Sequence, residues 1–358
     1  MKRALPLLAV ITLAACSGGG DGPTPPPEQP KVASLDFTAP ADSVEELKTL
    51  QLTAVPKDKN GNAMTTHVWL TVDSSRVATV HEQTRVLEAK APGFVTVTAT
   101  SENITKTMKV RVTPFGPTPP ADRPGGWKVF LLMGQSNMEG QGDTVGYVRP
   151  DLQGRVFVRT ESGFVPAREP LSAYGVGPGA AFAAELMRLG ATDTIALVQC
   201  AVGGTTMEEW GRSTLSSSRY GACLRKAWGA YEKGRVAGVL FFQGESNAAP
   251  PQDRQNTTTT DGWGNLFRTF VGDLRQDLRD PALPVVFAQI GDYGPSFAQY
   301  AQRWATVQAQ QAAVAGSMGS KVRMIETRGL ARKDDLHYTT ASYIEIGKRF
   351  GGAYWEIR

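Results

Sequence analysis

The sequence predicts an α/β domain, a parallel sheet covered by helices on both faces, with a small all-β sandwich in front of it. Three observations carry that prediction. From Trp127 onward, short apolar runs alternate with longer amphipathic ones, the pattern of a sheet buried on both sides. Between residues 31 and 113 the runs are short, period-two and punctuated by Gly, Asn and Pro, as in a sandwich. Several apolar runs of the later region end in Ser, Gly-Gly or Gln, polar groups at the sheet edge where ligands bind.

The 358 residues leave room for both domains, and 41% apolar with 20% charged residues is ordinary for a soluble globular chain. Net charge is +4, or +2 without Lys2 and Arg3, with no Lys/Arg run. That balance argues against a nucleic-acid partner. Residues 1–16 read as a targeting segment: Lys2 and Arg3, then an apolar run over 5–15 too short to span a bilayer. The segment ends Leu13-Ala14-Ala15-Cys16, which resembles the bacterial lipobox. The resemblance implies lipidation at Cys16, export, and a lipid anchor in the membrane, the outer membrane in a Gram-negative cell. Residues 17–30 are Gly-rich, then Pro-rich, and read as a tether.

In residues 31–113 the strand candidates are 50–55, 68–70, 77–80, 94–100 and 108–112, with Asn60-Gly61 as a turn signal. No catalytic cluster appears; His67 and His81 read as surface or packing residues. The stretches 75–80 and 93–99 resemble the final strands of bacterial Ig-like domains of group 2. A spacer role is expected first, contact with a surface or glycan second. Residues 114–126 are Pro-rich and read as a second, stiff linker.

From 127 to 358 the expected strands are 128–133, 195–200, 238–242, 284–290 and 322–325. The expected helices are 178–189, 221–233, 266–278 and 297–315. In the first helix Phe182, Leu186 and Leu189 share one face and Gly190 stops it.

The strand ends carry the chemistry. Ser136 follows the first strand by way of Gly134-Gln135. Ser is a common helix cap, but with a base, a group to orient the base, and oxyanion donors it becomes a nucleophile. After the second strand stand Gly203 and Gly204, which form either a tight turn or a close backbone approach aiming an N–H at a ligand. After the third stands Gln243, whose amide can donate to an oxyanion or simply close the strand. His337 is the single histidine of this region, and His titrates near neutrality unaided. Asp334 and Asp335 both precede it closely enough to orient its ring, and the spacing leaves both open. The same cluster also reads as the start of a helix over 341–350. With one His and no Cys/His cluster, neither metal nor cofactor is expected. Cys200 and Cys223 remain as an even pair for an oxidising compartment, bonded or as two buried thiols.

Together these strings resemble the SGNH hydrolase superfamily, and within it carbohydrate esterase family 6 and the sialate O-acetylesterase-type domains. The matching strings are Gly134-Gln135-Ser136-Asn137-Met138, Glu169-Pro170-Leu171, Gly175-Val176-Gly177-Pro178-Gly179, Cys200-Ala201-Val202-Gly203-Gly204-Thr205, Glu209-Trp210, Gln243-Gly244-Glu245-Ser246 and Asp334-Asp335-Leu336-His337. The resemblance implies a three-layer α/β/α fold, flavodoxin-like in outline. It implies Ser136 as nucleophile, His337 as base and Asp334 rather than Asp335 as the third member. The N–H groups of Ser136 and of Gly203 or Gly204, with the Gln243 side chain, are the expected oxyanion donors. Gln135, Asn137, Glu169, Trp210 and Glu245 are expected around the site or on the substrate. Residues 248–261, with the run Thr257–Thr260, read as an insertion at the rim. The implied function is removal of O-acetyl groups from carbohydrate, acetylated xylan or sialic acid among them. A lipase or thioesterase on other acyl esters, or an adhesin keeping the fold without catalysis, are the rival readings. A glycoside hydrolase has no role for the Ser–His pair.

Overall fold

A computed structural model describes residues 29–122 and 125–358. Cys16, the targeting segment and most of the tether lie outside the described residues. The chain divides into two units, Met1–Thr113 and Pro114–Arg358.

The first unit is a β-sandwich. A four-stranded sheet includes the hairpin Gly93–Ser101 and Ile104–Thr113, and smaller sheets face it. Strict alternation buries Val95, Val97, Ala99 and Ser101. Leu50, Leu70, Leu87 and Val110 complete the core. His67 pairs with Glu82 and His81 with Glu88, both histidines more than half exposed.

The second unit is built on seven strands: β1 (Trp127–Gly134), β2 (Val156–Thr160), β3 (Gly163–Pro166), β4 (Ile195–Gln199), β5 (Gly234–Phe242), β6 (Val285–Ala288) and β7 (Val322–Ile325). They form one sheet in the order β3-β2-β4-β1-β5-β6-β7. The five strands expected from sequence run β4-β1-β5-β6-β7, all parallel, the 2-1-3-4-5 order of flavodoxin-like sheets. The hairpin β2–β3 extends that edge and puts an antiparallel strand outermost. Its strands are four to five residues long and lie partly exposed, too little apolar pattern to announce them in sequence.

Five helices cover the sheet: α1 (Gly179–Arg188), α2 (Arg219–Gly229), α3 (Trp263–Asp277), α4 (Ala301–Ser317) and α5 (Thr340–Ile357). The strand pleat assigns them to layers. Phe130 on β1 stacks edge-on against Phe182 of α1 and Tyr354 of α5, each at 4.9 Å. Its register partner on β5 is Gly238. Phe241, an odd number of residues further along β5, points to the other face. There it meets Phe267 and Phe270 of α3 at 5.4 and 5.0 Å. α5 runs well past the expected 341–350 because Gly347 and Gly351 let it lie tight on α1. A disulfide joins Cys200, just after β4, to Cys223 in α2, with Cα atoms 5.3 Å apart.

Residues 114–126 are not a linker throughout. Phe115 is buried in the second unit's core, 5.0 Å from the Trp228 ring. Arg279 donates to the Gly116 carbonyl and to Thr118 Oγ1. An apolar residue amid prolines gave no periodicity from which to foresee this.

Candidate active site

Ser136 stands at the carboxyl end of β1, the central position where the strand order reverses, between β4 and β5. The chain turns sharply there. Gly134 has φ 122°, and a Cβ on it would lie 2.1 Å from the Phe242 carbonyl oxygen, so only glycine fits. One short helical turn, Ser136–Glu139, follows.

His337 Nε2 lies 3.0 Å from Ser136 Oγ, and His337 Nδ1 lies 3.0 Å from Asp334 Oδ2. Asp334 Oδ1 accepts the backbone N–H groups of Leu336 at 2.8 Å and His337 at 2.6 Å. Partial burial alone would raise the Asp334 carboxyl. The two N–H groups and the His337 ring outweigh burial and hold it below the usual carboxylate value. Asp335 points elsewhere: its carboxylate accepts from the backbone N–H of Ser296 at 3.0 Å and from the Ser296 hydroxyl. Its backbone carbonyl holds the Gly294 N–H at 2.7 Å. The expected helix start is present as well, since Thr339 caps α5 by accepting the Ser342 N–H. One segment therefore carries both the base and a cap.

Asn137 bolts the site together. Its Nδ2 donates to Glu245 Oε1 at 2.6 Å and to the Leu336 carbonyl at 3.4 Å, and its Oδ1 accepts from Tyr343 at 2.7 Å. The ends of β1 and β5, the His337 segment and α5 thus meet on one fully buried amide. Glu245 is enclosed, its Oε2 has no partner among the described residues, and burial raises its carboxyl.

The structure separates the expected oxyanion donors. Gln243 is fully buried and does not line the cleft. Its Nε2 donates to Asn247 Oδ1 at 2.8 Å, the Thr205 carbonyl at 3.1 Å and Gln135 Oε1 at 3.3 Å, while its Oε1 accepts from Trp263 at 2.8 Å. An amide so engaged holds the loops beneath the site and has no hydrogen left for an oxyanion. The Gly203 N–H donates to Glu139 Oε2 at 3.0 Å. The backbone N–H groups of Ser136 and Gly204 bond no acceptor among the described residues. Gln135 Oε1 takes the N–H groups of Ser246 and Gly244 at 3.2 and 3.4 Å, which leaves its own Nε2 without a partner among the described residues.

Two further expectations move into the scaffold. Trp210 is fully buried against Phe241 and Phe270, and its Nε1 donates to Thr205 Oγ1 at 3.2 Å. Glu169 accepts the N–H groups of Leu171, Gly177 and Ala180 at 3.0, 3.2 and 3.2 Å. Burial pushes its carboxyl up to about 7 against those bonds. Neither residue lines the cleft. The 248–261 segment does reach the rim: Ala249 and Pro251 line the cleft, and Arg254 donates to the Gly204 carbonyl at 2.9 Å.

The cleft over Ser136 has a volume of about 460 Å³. Sequence reasoning did not single out Glu139, Gln141, Tyr174 and Phe297 among its walls. Glu139 had a readable signal, because three residues after Ser136 on a helical turn returns to the same side. Tyr174 sits in an irregular segment where no periodicity marks it, and Phe297 heads the expected helix over 297–315 but lies in the helical turn Pro295–Tyr300 that precedes α4. A larger cleft of about 590 Å³ opens at the other end of the strands, lined by Lys128, Ile195 and Arg235 among others, and contains neither Ser nor His. Among the described residues no three His, Cys, Asp or Glu side chains are grouped to hold a metal ion.

Comparison with known proteins agrees with this architecture. Residues 31–112 match the bacterial Ig-like domain (group 2). A probable carbohydrate esterase of Arabidopsis thaliana is 29% identical over 252 residues, 63% of this chain and 90% of the plant protein. The X-ray structure of that plant protein superposes with a TM-score of 0.53 at 28% identity, covering 65% of this chain and 98% of that one. A carbohydrate acetylesterase from Xanthomonas citri gives a TM-score of 0.49 at 17% identity, covering 90% of this chain and 75% of that one. Residues 126–356 match the family described as carbohydrate esterase, sialic acid-specific acetylesterase, and by that match over most of its length the chain belongs to this family.

Proposed function

We propose that the unit of residues 114–358 is a serine esterase that removes O-acetyl groups from carbohydrate through an acetyl-enzyme intermediate. The observation that carries the reading is the unbroken line Asp334–His337–Ser136, with 3.0 Å at each junction. Neutral His337 takes the Ser136 proton as Oγ attacks the acetyl carbon. Asp334 fixes the ring with Nδ1–H towards itself and stabilises the imidazolium that forms. The sugar hydroxyl leaves with the proton from His337, and a water activated by the same ring then releases acetate. The oxyanion is received by the N–H groups of Ser136 and Gly204 and by the Gln135 amide, donors around Ser136 that have no other partner among the described residues.

The family membership and the plant relative's description as a probable carbohydrate esterase support the substrate class. The carboxyl groups of Glu139 and Glu245 in the cleft wall disfavour a long apolar acyl chain and so the lipase reading. Acetate release from a panel of acetylated glycans tests the proposal. The full chain releases acetate and Ser136→Ala does not; equal release by both rejects it. We further propose export and a lipid anchor at Cys16, resting on the lipobox-like Leu13-Ala14-Ala15-Cys16. Cys16→Ser then moves the protein from the membrane fraction to the soluble one, and retention on the membrane rejects the anchor.

A further inference from the structure

The charge in the cleft wall bears on which sugar enters. No Lys or Arg is among the residues that line the cleft over Ser136. The two carboxyl groups, Glu139 and Glu245, are both nearly buried. Glu139 is the one beside the reacting atoms: its Oε2 holds the Gly203 N–H, and a Cβ placed on Gly203 would lie 3.2 Å from that oxygen and 3.7 Å from Ser136 Cβ. Two cations act close to the cleft without entering its lining. Arg254 is on the rim, paired with Glu209 and bonded to the Gly204 carbonyl. Burial raises the Glu139 carboxyl, while the Gly203 N–H and the charge of Arg219, exposed at the start of α2 and outside the cleft lining, work to lower it.

We infer that the cleft selects O-acetylated sugars that carry no carboxylate of their own, with Glu139 as the discriminating residue, so that acetylated neutral glycan is favoured over sialic or uronic acid. The inference rests on the esterase reading above and runs against the sialic acid named in the family's description. A sugar carboxylate brought into this cleft leaves water, finds no guanidinium or ammonium to pair with, and meets a carboxyl of the same sign. A neutral sugar meets hydrogen-bonding groups suited to hydroxyls, Gln141 and Ser246 among them. Its C–H faces meet Tyr174, which is 67% exposed, and Phe297 on the cleft walls.

The test compares one sugar in two charge states. Acetate release by the full chain is measured for O-acetylated sialic acid with its carboxylate free and with it capped as the amide, beside acetylated xylo-oligosaccharide and 4-nitrophenyl acetate. Like-charge repulsion over roughly 8 Å in a partly desolvated cleft is worth about tenfold, so kcat/KM for the capped sugar exceeds that for the free acid by about that factor. In Glu139→Gln, whose amide oxygen can still accept the Gly203 N–H, the ratio moves toward one. A ratio near one in the unaltered protein, or a preference for the free acid, overturns the inference while leaving the esterase reading intact. Cleavage of 4-nitrophenyl acetate without release from any sugar overturns the carbohydrate reading and this inference with it. No cleavage of any ester removes the esterase reading itself.

Discussion

At the scale of single residues, Asp334→Asn and Asp335→Asn separate two carboxylates that spacing alone leaves equivalent. Asp334 touches the imidazole and Asp335 touches Ser296. Asn at 334 favours the wrong tautomer of His337, and kcat is expected to fall by about 10⁴. Asp335→Asn is expected to lower kcat less than about tenfold, since Ser296 N–H can still donate to the amide oxygen. Steady-state kinetics on one acetyl ester checks both. Asp334, held below the usual carboxylate value, stays ionised as pH falls toward that value. Asp334 therefore goes on orienting the His337 ring across that range. Gln243 and Gln135 form the second pair. Gln243→Ala leaves the Trp263 N–H and Asn247 without their buried partner, so the expected outcome is a stability loss of about 2–4 kcal/mol in denaturant melts. The sequence places Gln243 correctly at the end of β5 but cannot say which way the amide turns. That is decided by Trp263 and Asn247, which approach from elements distant in sequence or one helical turn along. The His–Asp spacing was legible because both residues sit within one turn of chain.

At the scale of elements, the loop that carries Gly203 and Gly204 is fastened at its start by Cys200–Cys223. The bond closes a loop of sequence separation 23, and chain-entropy arguments assign such a loop about 3 kcal/mol. Cys200→Ala with Cys223→Ala is therefore expected to lower the melting temperature of the catalytic unit by roughly 6–12 °C, measured by calorimetry. A change under about 2 °C would mean that the buried packing of the two side chains holds the loop without the bond. Alternating apolar strands and amphipathic helices announced the five-stranded parallel core, because burial on both faces leaves a strong pattern. The β2–β3 hairpin, short and half-exposed, leaves a weak one, and the short helical turns Ser136–Glu139 after β1 and Glu245–Ala248 after β5 are fixed by tertiary hydrogen bonds through Asn137 and Gln135.

At the scale of the whole molecule, the chain of residues 114–358 contains the triad geometry and its core, and is expected to keep the full chain's kcat on 4-nitrophenyl acetate. A chain starting at Trp127 loses Phe115 from the core beside Trp228 and is expected to unfold with about 3–5 kcal/mol less stability. Denaturant melts of the two chains measure the difference. Equal midpoints would return residues 114–126 to the status of linker throughout. Composition marks where the first unit ends, but it cannot reveal that a proline-rich stretch contributes one buried ring.

The central claim is that Ser136, activated by His337, is the nucleophile. Reaction of the full chain with a fluorophosphonate, followed by peptide mass analysis, tests it most directly. The account predicts one adduct per chain, on the peptide holding Ser136, lost in Ser136→Ala and slowed by about 10³ or more in His337→Ala. Acetate release that persists while Ser136 stays unlabelled, or an adduct on another residue that abolishes activity, would contradict it.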